Sequence, residues 1–157
     1  MAELKIPQLP PEGAHQQALE AMALFSATVV QALVDKFSSE EALKILDPYL
    51  KEAGKKMGAM AETLGFTSKD AIAIGSLLHL IEEQVFLAEG KPTEVGPDRV
   101  VKDITKCPFQ SFTPEFCLAM MSMAEGLCEA INPEYGISAP KMIPRGDPIC
   151  QWIVEKK

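Results

Sequence analysis

The chain has 157 residues, of which 47% are apolar and 24% are charged, and its formal net charge is −7. This composition predicts one soluble globular domain, residues 1–157, with a real hydrophobic core. The acidic balance argues against nucleic acid and against anionic membrane surfaces as partners. The first residues lack a basic region followed by an apolar region, so a cytoplasmic location is expected.

The N-terminal part of the chain predicts an arm and then a long helix. Residues 1–12 are rich in proline and favour an extended arm. A helix is predicted from about Ala14 to Phe37, largely buried because its residues are apolar almost all round. Its most apolar stretch, between Glu20 and Asp35, is shorter than the roughly 20 residues of a membrane span.

Two more helices are predicted before residue 90. Ser38 or Ser39 can cap the second helix, since Glu41 completes a capping-box spacing with Ser38, and Gly65 is expected to end that helix. Pro48 should kink that helix or start a new segment. The third helix opens with Thr67 or Ser68 as its cap and ends near Glu83, while "QVFLAEG" could continue it or begin a strand.

The C-terminal part predicts strands around one further helix. A strand is expected over Arg99–Lys106, and Thr113-Pro114 is typical of a helix start. Asn132-Pro133 ends this helix, and "PRGDP" joins two last strands as a hairpin. The helical region is therefore 14–83, and 95–156 is a β-α-β-β region. The predicted fold is α+β, with the N-terminal helices packed on a small antiparallel sheet.

Alternation along the predicted strand Arg99–Lys106 separates two faces. Lys102 and Lys106 share one face, which we expect to lie in solvent. Asp103 and Thr105 then point inward together with Cys107. A carboxylate beside a hydroxyl and a thiol favours a pocket wall over a packed core.

The four cysteines all lie in the last third of the chain, and no C-x-x-C pair is present. Cys150 shares a strand face with Trp152, which is expected to face the core. Cys117 and Cys128 lie on one helix about 16 Å apart, which is too far to bind one metal ion. Cys128 is most simply a core residue.

His79 is followed by Glu82 and Glu83, three and four residues later. This spacing could supply metal ligands from one helix face. The simpler alternative is a half-buried histidine paired with a carboxylate of its own helix.

Four short segments, in order, carry a resemblance: "ITKCPF", a helix with Cys117 in its first turn, "INPEYG" and "RGDPICQWIV". Together they resemble the L-2-amino-thiazoline-4-carboxylic acid hydrolase family, which is similar to the 4-vinyl reductase-like small-molecule-binding domains. The resemblance covers residues 95–156. It implies hydrolytic opening of a cyclic C=N bond, or a ligand-binding module on the same fold.

The resemblance also implies site residues and partners. A zinc ion would suit Cys107, Cys117 and Cys150, completed by His79 or Asp103. In a hydrolase, the thiolate of Cys107 or Cys150, or a metal-bound water, attacks the carbon, and the proton carriers are Asp103, Glu82 or His79.

Two alternatives involve no catalysis. In one, a cysteine-lined pocket binds a small molecule as a binding or sensor domain. In the other, the three thiols simply pack together. Pairing into a homodimer is compatible with a small α+β domain.

Overall fold

A computed structural model describes residues 10–157 and confirms the α+β fold. Most of the predicted arm, residues 1–12, lies outside the described residues. The helices are α1 Pro11–Phe37, α2 Ser39–Gly58, α3 Ala71–Leu80 and α4 Pro114–Ile131. The strands are β1 Glu89–Val95, β2 Arg99–Lys106, β3 Tyr135–Lys141 and β4 Cys150–Lys156. They form one antiparallel sheet in the order β1-β2-β4-β3. The segment "QVFLAEG", for which helix and strand were both open, ends in strand β1.

Helix α1 ends at the predicted Phe37 but begins at Pro11, inside the predicted arm and three residues before Ala14, and the expectation that it is largely buried is wrong. Only Ala23 and Val30 are buried along its 27 residues, while Met22 and Phe25 are 63% and 66% exposed. One side of the helix packs on α2 and α4, and the described residues place nothing on the other side. By length and composition alone, α1 would also suffice to cross a membrane.

Helix α2 begins where the sequence predicts and ends earlier. The hydroxyl of Ser38 accepts a hydrogen bond from the Glu41 backbone N–H at 3.4 Å. The helix continues through Pro48, so the prediction of a new segment is wrong. A proline removes one backbone hydrogen bond from a helix, and packing against α4 outweighs that loss here. The helix ends at Gly58, ahead of the predicted Gly65.

Two glycines allow α2 and α4 to lie against each other with their backbones in contact. A Cβ atom placed on Gly126 would lie 2.0 Å from the carbonyl oxygen of Lys51. One on Gly54 would lie 1.9 Å from the carbonyl oxygen of Met123. These distances are far below van der Waals contact, so the helix crossing depends on residues without a side chain.

Helix α3 starts at a cap that the sequence reasoning missed. The carboxylate of Asp70, and not Thr67 or Ser68, accepts the Ala73 N–H at 3.0 Å. The helix is buried on the sheet and continues into a π-helical turn, Ile81–Val85. This turn brings Glu82 to the inner face of the sheet.

Strand β2 has the predicted bounds and Lys106 is exposed as expected, but the predicted sides of Lys102 and of Asp103 with Thr105 are wrong. Val100, Lys102 and Ile104 point into the core, and Lys102 is completely buried. Asp103 is half-buried on the opposite face, and Thr105 is exposed. Lys102 is buried because it has an ion-pair partner, Glu82, which lies 20 residues earlier in the chain.

The last two strands form the predicted hairpin. Its turn contains a short 3-10 segment, and Gly146 has a φ of +96°, a conformation that glycine adopts without strain. The carboxylate of Asp147 accepts the Met142 N–H at 2.8 Å. Asp147 is therefore a brace of the turn, as its position in the sequence indicates.

Candidate functional site

An apolar cavity of about 160 Å³ lies between α3 with its π-helical turn, α4 and the inner face of the sheet. Its walls consist mainly of aliphatic, aromatic and sulfur-containing side chains. The lining residues are Leu78, Ile81, Glu82, Phe86, Ala88, Ile104, Cys107, Phe109, Cys117, Met120, Met121, Ala124, Ile137, Ala139, Lys141, Met142, Cys150, Gln151 and Trp152. Such a cavity is typical of sites for small apolar molecules.

Three of the four cysteines line this cavity. Cys107 comes from the end of β2, Cys117 from the first turn of α4 and Cys150 from the start of β4. Cys150 lies on the inner face with Trp152, as the strand alternation predicts. Cys128 is buried in the core instead, 1% exposed.

The thiols of the cavity are held in their neutral form. Burial raises the pKa of Cys107 to about 11 and that of Cys117 to about 12. Burial also raises the pKa of Cys150, although its sulfur accepts the Ile143 N–H at 3.2 Å. At pH 7 a thiol with a pKa near 11 is a thiolate in about one molecule in ten thousand. The thiolate is the nucleophile and the metal ligand, so these cysteines behave as small apolar wall residues.

The described residues do not fit the zinc ion that the resemblance implies. They contain no group of three or more His, Cys, Asp or Glu side chains arranged to hold a metal ion.

The other two predicted site residues lie away from the cavity wall. Asp103 is on the outer face of the sheet, where its carboxylate accepts a hydrogen bond from the Gln151 side-chain amide at 2.7 Å. His79 does not line the cavity, and its Nε2 lies 3.5 Å from a carboxylate oxygen of Glu83. The structure thus brings the three cysteines to one cavity, without Asp103 or His79.

A buried polar cluster, Glu82–Lys102–Trp152, forms part of the cavity region. One carboxylate oxygen of Glu82 accepts the Trp152 indole N–H at 2.9 Å, and the other lies 2.8 Å from the Lys102 ammonium. Lys102 and Trp152 are directly opposite on β2 and β4, so both point to the same side of the sheet. Glu82 meets them from the π-helical turn.

Sequence reasoning assigned Lys102 to solvent and therefore missed this cluster. One signal was available, since Val100 and Ile104 share a face with Lys102 and both are β-branched and apolar. A lysine is rarely buried without a partner. Its partner, Glu82, precedes it by 20 residues on another element, and that pairing arises only in the folded chain.

No protein-family model matches the chain, and neither does any curated protein sequence.

Solved structures do match. A trafficking protein particle complex subunit 3 from Naegleria fowleri, covalently bound to palmitic acid, is 12% identical with a TM-score of 0.72. The match covers 90% of this chain and 96% of that one. The phenol-responsive sensory domain of the transcription activator PoxR, with phenol, is 15% identical with a TM-score of 0.63, covering 88% and 74%. At these identities the likeness shows a shared α+β fold.

Proposed function

We propose that this protein is a non-catalytic binding or sensor domain for a small apolar molecule. The observation that carries the proposal is the apolar cavity between the sheet, α3 and α4. The two solved structures described above each hold a ligand, palmitic acid in one and phenol in the other. Burying an apolar ligand in such a cavity gains about 25 cal/mol for each Å² removed from water.

The size of the cavity favours a ligand of about one ring. A dry apolar cavity of about 150 Å³ in another protein is large enough for benzene. The cavity here, about 160 Å³, is of that order. A long acyl chain would require the walls to move apart. The phenol-bound sensory domain is therefore the better guide to ligand size.

The chemistry of the walls supports binding over hydrolysis. A thiolate mechanism needs an ionised cysteine, whereas burial raises the pKa of Cys107 and Cys117. Of the three expected proton carriers, Asp103 lies on the other face of the sheet and His79 does not line the cavity, whereas Glu82 does. Opening of a cyclic C=N bond, which the resemblance implies, gains no support from this arrangement.

Ligand titration tests the proposal. Trp152 is the only tryptophan of the chain and lines the cavity, so its fluorescence and its indole N–H resonance report on occupancy. Toluene and phenol are expected to change both signals in a saturable way. Ala124→Phe places a ring inside the cavity and should abolish binding, while Ala21→Phe on the exposed side of α1 should not. Absence of saturable binding of either ligand to the unaltered protein would refute the proposal.

We further propose that two copies of the chain pair through α1. Five exposed apolar residues form a row along this helix at alternating spacings of four and three: Ala18, Met22, Phe25, Val29 and Ala32. This spacing is the seam of a helix that packs against another helix. No charged side chain interrupts the row, and the acidic chain as a whole disfavours an anionic lipid surface. A second copy supplies the matching seam across a two-fold axis.

Sedimentation equilibrium tests this pairing. The unaltered chain is expected to be a dimer and Phe25→Glu a monomer. Leu24→Glu is the matched control, because Leu24 is 61% exposed on the same helix but lies off the row. A monomeric unaltered chain, or a chain that binds vesicles of phosphatidylcholine and phosphatidylserine through α1, would contradict the proposal.

A further inference from the structure

Glu82 is the one carboxylate among the described residues that line the cavity. Of the other polar lining residues, Lys141 is exposed at the end of β3, and Gln151 gives its side-chain amide to Asp103. The side chain of Glu82 is 17% exposed, and it lies on the π-helical turn Ile81–Val85. Such turns occur often at functional sites.

The carboxylate of Glu82 is held in one orientation and can still accept further hydrogen bonds. It receives one hydrogen bond on each oxygen, from Trp152 and from Lys102. A carboxylate offers about four acceptor positions, so about two stay open. Both donors are themselves buried, which holds the carboxylate in one orientation at the cavity wall. A preoriented acceptor of this kind strengthens binding of a matching donor.

The negative charge of Glu82 is already balanced by Lys102 when no ligand is bound. The ammonium of Lys102 neutralises Glu82, and Lys102 is itself 0% exposed. A ligand with a carboxylate would meet Glu82 with like charge, and an ammonium ligand would add a second cation beside Lys102. An uncharged donor adds no charge and gains a charge-assisted hydrogen bond.

The small contribution of a buried ion pair to stability also favours a role for Glu82 and Lys102 in ligand binding. A buried ion pair often stabilises a protein no more than apolar residues of the same volume. Its presence beside an otherwise apolar cavity is understood if it orients a ligand. We propose that Glu82, oriented by Lys102 and Trp152, is the specificity residue of the cavity and selects an uncharged apolar ligand that carries one hydroxyl group. This inference rests on the proposed binding function and deepens it.

A hydrogen bond to a charged acceptor is worth about ten- to one-hundredfold in affinity. The lower end applies, because each oxygen of Glu82 keeps a protein partner when the ligand lacks a donor. Phenol should therefore bind about tenfold more tightly than anisole, whose ether oxygen accepts but cannot donate. Benzoate, with its negative charge, should bind more weakly than either.

Calorimetric and fluorescence titrations with phenol, anisole, toluene and benzoate test the assignment. In Glu82→Gln/Lys102→Met, which removes both charges together, the affinity of phenol relative to toluene should fall about tenfold while toluene still binds. Glu83→Gln, one residue away and directed at His79, should leave that ratio unchanged. Circular dichroism shows whether the double variant folds. The comparison of the four ligands on the unaltered protein tests the assignment even if the double variant does not fold.

Three results separate the possible failures. Phenol binding no more tightly than anisole to the unaltered protein would overturn the role of Glu82. An unchanged ratio of phenol to toluene in a folded double variant would do the same. In either case binding of toluene would leave the proposed function standing. If neither toluene nor phenol binds, the proposed function fails and this inference fails with it.

Discussion

The ion pair between Lys102 and Glu82 makes a sharp stability prediction. Lys102→Met keeps most of the side-chain volume and removes the ammonium, which leaves the carboxylate of Glu82 with the Trp152 indole as its one described partner. The free energy of unfolding should fall, because a largely buried charge loses its counter-charge.

The magnitude follows from burial. Removing one member of a buried pair costs about 3–5 kcal/mol. Glu82 retains 17% exposure and one hydrogen bond, so the expected loss is at the low end, about 3 kcal/mol. For a chain of this length that corresponds to a fall in Tm of about 6–12 °C. In Glu82→Gln/Lys102→Met both charges are absent, and the loss should shrink to about 1 kcal/mol.

Chemical denaturation followed by Trp152 fluorescence measures these losses, at one fixed protein concentration because pairing would add to the apparent stability. Lys106→Met is the matched control, since Lys106 is exposed on the same strand and pairs with Glu89 at the surface. Its loss should stay below about 1 kcal/mol. A loss for Lys102→Met no larger than that for Lys106→Met, or a double variant as unstable as the single one, would show that the ion pair does not stabilise the fold in this way.

Three other outcomes follow from the described contacts. The alkylation rate of Cys107 in the native protein should keep rising about tenfold per pH unit beyond pH 9, because its pKa is about 11; a plateau near pH 9 in peptide mapping would contradict this. Since this folded-state pKa is raised, the thiol stabilises the fold below pH 9, and that contribution is lost as the pH rises through 11. Gly126→Ala should cost about 3 kcal/mol in thermal unfolding, the upper range for overpacking, and a loss under about 0.5 kcal/mol would show that the two helices adjust freely. Asp147→Ala should cost about 1–3 kcal/mol and speed hydrogen exchange at the Met142 amide, whereas Asp147→Asn keeps an acceptor and should be milder; equal effects of the two would argue against the turn brace.

Local signals in the sequence determined most of the element boundaries. Three such signals depend only on residues close to them in sequence: the Ser38 cap, the Thr113-Pro114 start of α4 and the Gly146-Asp147 turn. The β-branched run of β2 likewise has its predicted bounds. These features follow from backbone geometry and short-range hydrogen bonds, so the sequence was sufficient for the α+β fold and for the inward face of Cys150.

The tertiary structure alone decided which surfaces are buried and which residues meet. Lys102 is buried because its ammonium pairs with Glu82, which lies on the distant π-helical turn, and the predicted solvent position of Lys102 is therefore wrong. Helix α1 is exposed although it is apolar, because the described chain covers only one of its sides. The convergence of Cys107, Cys117 and Cys150 also depends on how α4 is seated on the sheet. Burial and side-chain pairing are long-range properties, and no pattern within one element specifies them.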